Sequence, residues 1–170
     1  MRSILAIIIS LLAGGAWAQN ASTKQFGDWT LRCNATQNGG KVCSLRQKAT
    51  QGQTGDLLAE VSLNLVQLDG KARVLMVMNA PEGVALNIAP GFVVDGKGFG
   101  PNGEAVNLSW RTCLRELCRA AAILTSEQQG AVMAGNAMTM GYRRFQQDGT
   151  TAFPVSLRGV TAGLAALSSQ

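Results

Sequence analysis

Residues 57–78 read LLAEVSLNLVQLDGKARVLMVM, and the fold is decided there. In the first half Leu57, Ala59, Val61, Leu63 and Leu65 share one parity and Glu60, Ser62 and Asn64 the other, a period of two that gives an extended strand one apolar and one polar face. Asp69-Gly70 follows, a dipeptide suited to the left-handed backbone of a two-residue hairpin. The run 72–78 is then rich in Val, Leu and Met, as expected of a central strand buried on both faces.

The same pattern extends in both directions. Residues 25–33, with Phe26, Trp29 and Leu31 among polar neighbours, read as a first strand after a polar leader at 19–24; Asn38-Gly39-Gly40 turns the chain into a partner at 42–47. On the other side Pro81-Glu82-Gly83 is a turn, and 84–88 and 92–94 read as short strands broken by Ala89-Pro90-Gly91. Residues 106–113 alternate again, and 118–124 pair back against them. Thr125 or Ser126 caps a short helix over 127–134. Strands at 137–145 and 151–157 flank a turn at Asp148-Gly149, and the Ala- and Leu-rich tail 161–167 is helical. Short strands between frequent turns predict a mainly β chain, an antiparallel β-sandwich with one or two short helices, stapled by disulfides.

Residues 1–18 have the form of a cleaved signal peptide: Arg2, an apolar run at 4–12, and the small-x-small site Ala16-Trp17-Ala18. The run is shorter than the ~18–20 residues that cross a bilayer, so it is expected to be removed, leaving residues 19–170 as a single β-sandwich domain without a transmembrane segment. The expected location is the periplasm, with outer-membrane association or secretion as further possibilities. In such an oxidising compartment the four cysteines are expected to be staples. Local order pairs Cys33 with Cys43 and Cys113 with Cys118, each small loop contributing ~2–3 kcal/mol by chain entropy.

Histidine is absent, which excludes Ser-His-Asp and Cys-His catalysis and imidazole zinc sites. Neither cysteine spacing is Cys-x-x-Cys. There is no Ser-x-x-Lys spacing or Gly-x-Ser-x-Gly elbow. Asp56 and Glu60 are read as residues of one solvated strand face. The G-x-G-x-x-G match at Gly98, Gly100 and Gly103 is followed by renewed alternation where a nucleotide fold needs a helix, so it reads as a hairpin loop. No enzyme activity, cofactor or metal is expected.

The chain carries 15 Lys plus Arg against 10 Asp plus Glu, a net charge of +5. Loss of Arg2 leaves 14 against 10, or +4. Such a balance favours anionic surfaces. Arg111, Arg115 and Arg119 surround the second cysteine pair; joined in space by Arg143-Arg144, they would form a guanidinium patch for carboxylates, sulfates or phosphates, with Trp29 and Trp110 as aromatic contacts. Stacking platforms are too few to predict specific nucleic-acid binding.

Phe26-Gly27-Asp28-Trp29 leading to Cys33 and Cys43, Arg73-Val74-Leu75-Met76-Val77, Pro81-Glu82-Gly83-Val84, the block 113–119, and Phe153-Pro154-Val155-Ser156-Leu157-Arg158-Gly159 before Thr161-Ala162-Gly163-Leu164 resemble the invasion-associated locus B family. The resemblance covers nearly all of the chain after residue 18. It implies a small exported protein of Gram-negative bacteria, from a family named for host-cell invasion and hence virulence, with no established enzymatic activity and no ligand residues to transfer. Two classes of function follow: a non-enzymatic module that binds a protein or an anionic envelope or host-surface component, and, alternatively, a thiol-disulfide redox or redox-sensing envelope protein. Residues 153–159 read as core and turn, or as a docking surface if Phe153 and Leu157 are exposed.

Overall fold

The computed structural model describes residues 22–100 and 102–170. The expected signal peptide lies outside the described residues. The elements run β1 (Ser22–Phe26), β2 (Trp29–Ala35), β3 (Lys41–Thr50), β4 (Leu57–Leu68), β5 (Lys71–Pro81), β6 (Gly91–Val94), β7 (Val106–Asn107), β8 (Ser109–Leu114), β9 (Leu117–Ile123), α1 (Ser126–Ala134), β10 (Ala137–Arg143), β11 (Thr150–Ser156) and α2 (Val160–Ser168). Seven strands form an antiparallel sheet in the order β1-β2-β3-β4-β5-β9-β8, and four form a second, β11-β10-β6-β7.

The quoted stretch becomes the β4–β5 hairpin. Asp69 and Gly70 both adopt left-handed backbone, with φ of 50° and 71°, so the turn matches the twist of the flanking strands. Ala59, Val61 and Leu63 point inward with Val74, Met76 and Met78, and β5 lies inside the sheet between β4 and β9. Phe92, Met138, Met140, Tyr142, Phe153 and Val155 fill the facing side of the smaller sheet. α1 starts in a capping box: the Thr125 hydroxyl accepts from the Gln128 backbone N–H, and the Gln128 side chain accepts from the Thr125 N–H. α2 packs on β1, β2, β3 and β4, burying Val160, Leu164 and Leu167, and a Cβ at Gly163 would lie 2.6 Å from Leu45 Cδ1.

Three expectations are corrected. The first strand is a hairpin, β1 and β2, turning at Gly27-Asp28; the three-residue step from Phe26 to Trp29 breaks the parity kept by Trp29, Leu31 and Cys33. Residues 84–88 form no strand: Val84 makes one isolated bridge with Arg144, and Pro90, lacking an N–H, leaves little room for a ladder. The alternation at 106–113 is divided between sheets, β7 in the smaller and β8 in the larger, with buried Leu108 at the corner donating its N–H to Pro90 O.

The two turns Phe26-Gly27-Asp28-Trp29 and Ser156-Leu157-Arg158-Gly159 press together. A Cβ at Gly27 would sit 2.3 Å from the Arg158 carbonyl oxygen, and one at Gly159 2.2 Å from that of Phe26. The Asp28 N–H donates to Arg158 O at 3.1 Å. Trp29 Nε1 and Gln47 Nε2 both donate to Ser156 O, while Gln47 Oε1 accepts from the Ser156 N–H. The Asp28 carboxylate accepts from the Arg158 guanidinium and from Ser156 Oγ at 2.6 Å. Phe153 and Leu157 are 1% and 3% exposed, so the docking surface considered at 153–159 is overturned: the block supplies core and latch.

Gly27→Ala and Gly159→Ala each combine a backbone collision with left-handed φ, and each is expected to cost about 2 kcal/mol or more in urea unfolding. The Arg158 guanidinium, then the Ser156 hydroxyl, hold the Asp28 carboxyl down at about 2. The unfolded chain therefore binds this proton more readily, and the Asp28 contribution is present above about pH 4 and disappears as pH falls towards about 2. Asp28→Asn should flatten part of the acid limb of a stability–pH curve. Asp95 and Glu104, whose carboxyls are also lowered by backbone N–H donors, retain the remainder.

Candidate functional site

Both expected disulfides form, Cys33–Cys43 across β2 and β3 and Cys113–Cys118 across β8 and β9. They lie at directly paired positions and fix the two hairpins. Among the described residues there is no free cysteine and no metal-holding group of three or more His, Cys, Asp or Glu residues.

The expected contact residues are divided: the register sets Arg111 next to Arg119, while Arg143, Arg144 and Trp29 lie elsewhere. Arg119 projects from the outer face of the larger sheet and donates from Nε to Asn79 Oδ1 at 3.1 Å. Arg111 stands at a β-bulge between Trp110 and Thr112, and Arg115 occupies the β8–β9 turn with a left-handed φ of 58°. Arg143 is turned onto Asp148 and the Gln147 carbonyl. Arg144 lines the opening between the sheets, as do Glu82 and Glu116. The aromatic contacts also move inward. Trp29 is 0% exposed, and half-buried Trp110 donates its indole N–H to Ile88 O at 2.9 Å.

Strand register builds another cationic surface. Gln25, Thr30, Arg46, Ser62, Val77, Ala121 and Ser109 form an outward row across all seven strands. Beside it Lys48, Glu60, Asn79, Arg119 and Thr112 form a second row. With strands ~4.8 Å apart, Lys48 and Arg119 stand roughly 14 Å from one another along that row. Arg32, paired with Ser44, and Arg73, paired with Val66, belong to the same face. Glu60 is the one carboxylate at the outward strand positions among the described residues, and it lies 3.3 Å from Arg46 Nη1.

Where β1 to β4 adjoin, a shallow depression of about 420 Å³ is lined by Thr30, Arg32, Arg46, Lys48 and Glu60, together with Asp28. Arg46 Nε donates to Ser44 Oγ at 2.6 Å, so its guanidinium is held flat between Ser44 and Glu60. Arg32 and Lys48 make no side-chain hydrogen bond or ion pair among the described residues, while Asp28 is occupied by Arg158 and Ser156. The arrangement can take anionic groups: an oriented guanidinium, two free cations and nearby hydroxyls on a rigid sheet. The sequence signal was the polar parity of Thr30-x-Arg32 and Ser44-x-Arg46-x-Lys48.

The family model for the Invasion associated locus B protein matches residues 29–168. An invasion protein B homolog of Brucella abortus (strain 2308) is 28% identical over 162 residues, covering 95% of this chain and 86% of that protein. A homolog from Brucella abortus biovar 1 (strain 9-941) shows the same identity and coverage. Among solved structures, the crystal structure of invasion associated protein b from Bartonella henselae superposes with a TM-score of 0.69 at 20% identity, covering 87% of this chain and 95% of that one.

Trp29→Phe keeps an aromatic core residue but leaves Ser156 O with one donor fewer, and is expected to lower unfolding stability by about 1–3 kcal/mol. Quenching checks the assignment: in wild type, Trp29 emission should resist acrylamide while Trp110 emission is quenched more readily.

Proposed function

Because this chain belongs to the invasion associated locus B family, we propose that it is an exported envelope protein acting by contact, which grips an anionic partner through the outer face of its seven-stranded sheet. The observation that carries the reading is the concentration of Arg32, Arg46, Lys48, Arg73 and Arg119 on one face, where Glu60, the one carboxylate at an outward strand position among the described residues, is already paired with Arg46. A sheet fixes side-chain origins, so such cations meet an anionic surface with little loss of backbone freedom.

Export is supported by the signal-like residues 1–18 and by two disulfides, which persist in oxidising compartments. A binding role without turnover is supported by the absence of histidine and by the state of Asp28. A carboxyl held at about 2 is a weak base near neutrality, and its hydrogen bonds serve the latch. The Brucella relatives are named for invasion, and the part of that name extended to this chain is contact at an envelope or host-cell surface.

Heparin serves as a test polyanion. Wild type should be retained on immobilised heparin and released by salt. Replacing Arg32, Lys48 and Arg119 together by Gln should release the protein at clearly lower salt; three exposed charge contacts at about 0.5 kcal/mol each correspond to about tenfold in affinity. Arg115→Gln, in the β8–β9 turn and outside the strand rows, should elute near wild type. Equal retention of the triple variant and wild type would sink the assignment.

A further inference from the structure

At one end of the sandwich four segments converge: the β3–β4 loop at 51–56, the bend at 81–83, the β8–β9 tip, and the β10–β11 loop at 144–149. They frame an open groove of about 1010 Å³ between the edges of the two sheets. Its walls include Asp56, Leu57, Glu82, Glu116, Leu117 and Arg144. Large apolar side chains crowd the same end, where Leu114 is 71% exposed, Phe145 63% and Leu117 43%.

The opening is braced. Glu82 N–H donates to Glu116 O at 3.0 Å, and Phe145 N–H donates to Gly83 O at 2.7 Å, linking the β8–β9 tip through the central bend to the β10–β11 loop. The buried Tyr142 hydroxyl donates to Leu58 O at 3.1 Å and ties the smaller sheet to the larger at the groove. The Cys113–Cys118 bond holds the hairpin immediately behind Leu114 and Leu117. A braced groove of this size accepts several side chains at once without first paying to order its own loops.

Charge selects the occupant. Three carboxylates, Asp56, Glu82 and Glu116, line the groove against one cation, Arg144, in a chain whose net charge is +5. Arg115 stands at the neighbouring turn. We propose that this groove is a second binding site, which takes an extended cationic and apolar peptide segment of a partner protein: its lysines or arginines meet Glu82, Glu116 and Asp56, and its apolar side chains cover Leu114, Leu117 and Phe145. The site is opposite in sign to the cationic sheet face and independent of it.

The probe is an end-blocked hexapeptide of alternating lysine and leucine, labelled for fluorescence anisotropy and titrated into disulfide-intact protein, with amide chemical shifts locating the contact. Expected are saturable, salt-sensitive binding and shifts at Leu58, Glu82, Leu117 and Arg144. Glu82→Gln with Glu116→Gln should bind about fivefold more weakly at unchanged melting temperature, as should Leu117→Ser. A glutamate–leucine hexapeptide should bind at least about fivefold more weakly than the lysine–leucine one, and so should a lysine–serine hexapeptide. Arg32→Gln with Lys48→Gln should leave the affinity unchanged. Unaltered binding by the Glu82/Glu116 variant, shifts confined to the sheet face, or equal binding of the acidic hexapeptide would each overturn the site. Sedimentation showing a dimer that Leu117→Ser dissolves would assign the groove to a second copy of the chain and overturn it as well.

Discussion

The structure depends on the approach of two glycine turns, one opening the larger sheet and the other leaving the smaller. Gly27 and Gly159 allow carbonyl oxygens to come where a Cβ would otherwise lie, and the hydrogen bonds from Asp28, Trp29 and Gln47 become possible at that separation. Facing sheets bury side chains without fixing how one slides over the other. Directional bonds at Ser156, with the Asp28 N–H on Arg158 O and the Tyr142 hydroxyl on Leu58 O, hold that register. Ser156 presents its N–H, carbonyl and hydroxyl at once, and each meets a partner from the N-terminal half of the chain.

This latch also accounts for the residues that carry the family resemblance. Phe26-Gly27-Asp28-Trp29 and the stretch from Phe153 to Gly159 are far apart in the chain, yet they are the two halves of one contact. Their specificity reports architecture. A ligand for the molecule is therefore better sought on side chains outside the latch: those of the outward rows of the larger sheet and of the mouth between the sheets.

Much of the fold was legible because period-two alternation and turn chemistry act locally. The parity of residues 57–65, Asp69-Gly70 and the closely spaced cysteines each required only neighbouring residues to be read correctly. The misreadings involve non-local geometry. Residues 106–111 alternate without interruption, but sequence does not say that buried Leu108 turns the chain from one sheet to the other. Trp29 is as compatible with a contact surface as with a core until its indole N–H is seen on Ser156, more than one hundred residues away. The same limit hid the cationic face, because Arg32, Arg46, Lys48 and Arg119 come together only once strand order and register are known.

Strand parity also explains why the two surfaces differ in sign. The outer face of the larger sheet has a floor of small or hydroxylated residues, Ser44, Ser62 and Ala121, all buried although they point away from the core. Long arginine and lysine stems can lie over such a floor while their heads reach water or a partner. Arg46 does this, covering Ser44 and reaching Glu60. A short carboxylate in those rows would stand close to the floor with little access to solvent, and Glu60 is accommodated as the counter-ion of Arg46. Loop ends carry no such constraint. Asp56, Glu82 and Glu116 occupy turns where backbone geometry and solvation tolerate carboxylates. Segregation of charge thus follows from where strands end and turns begin, and it gives one rigid scaffold two electrostatically distinct faces.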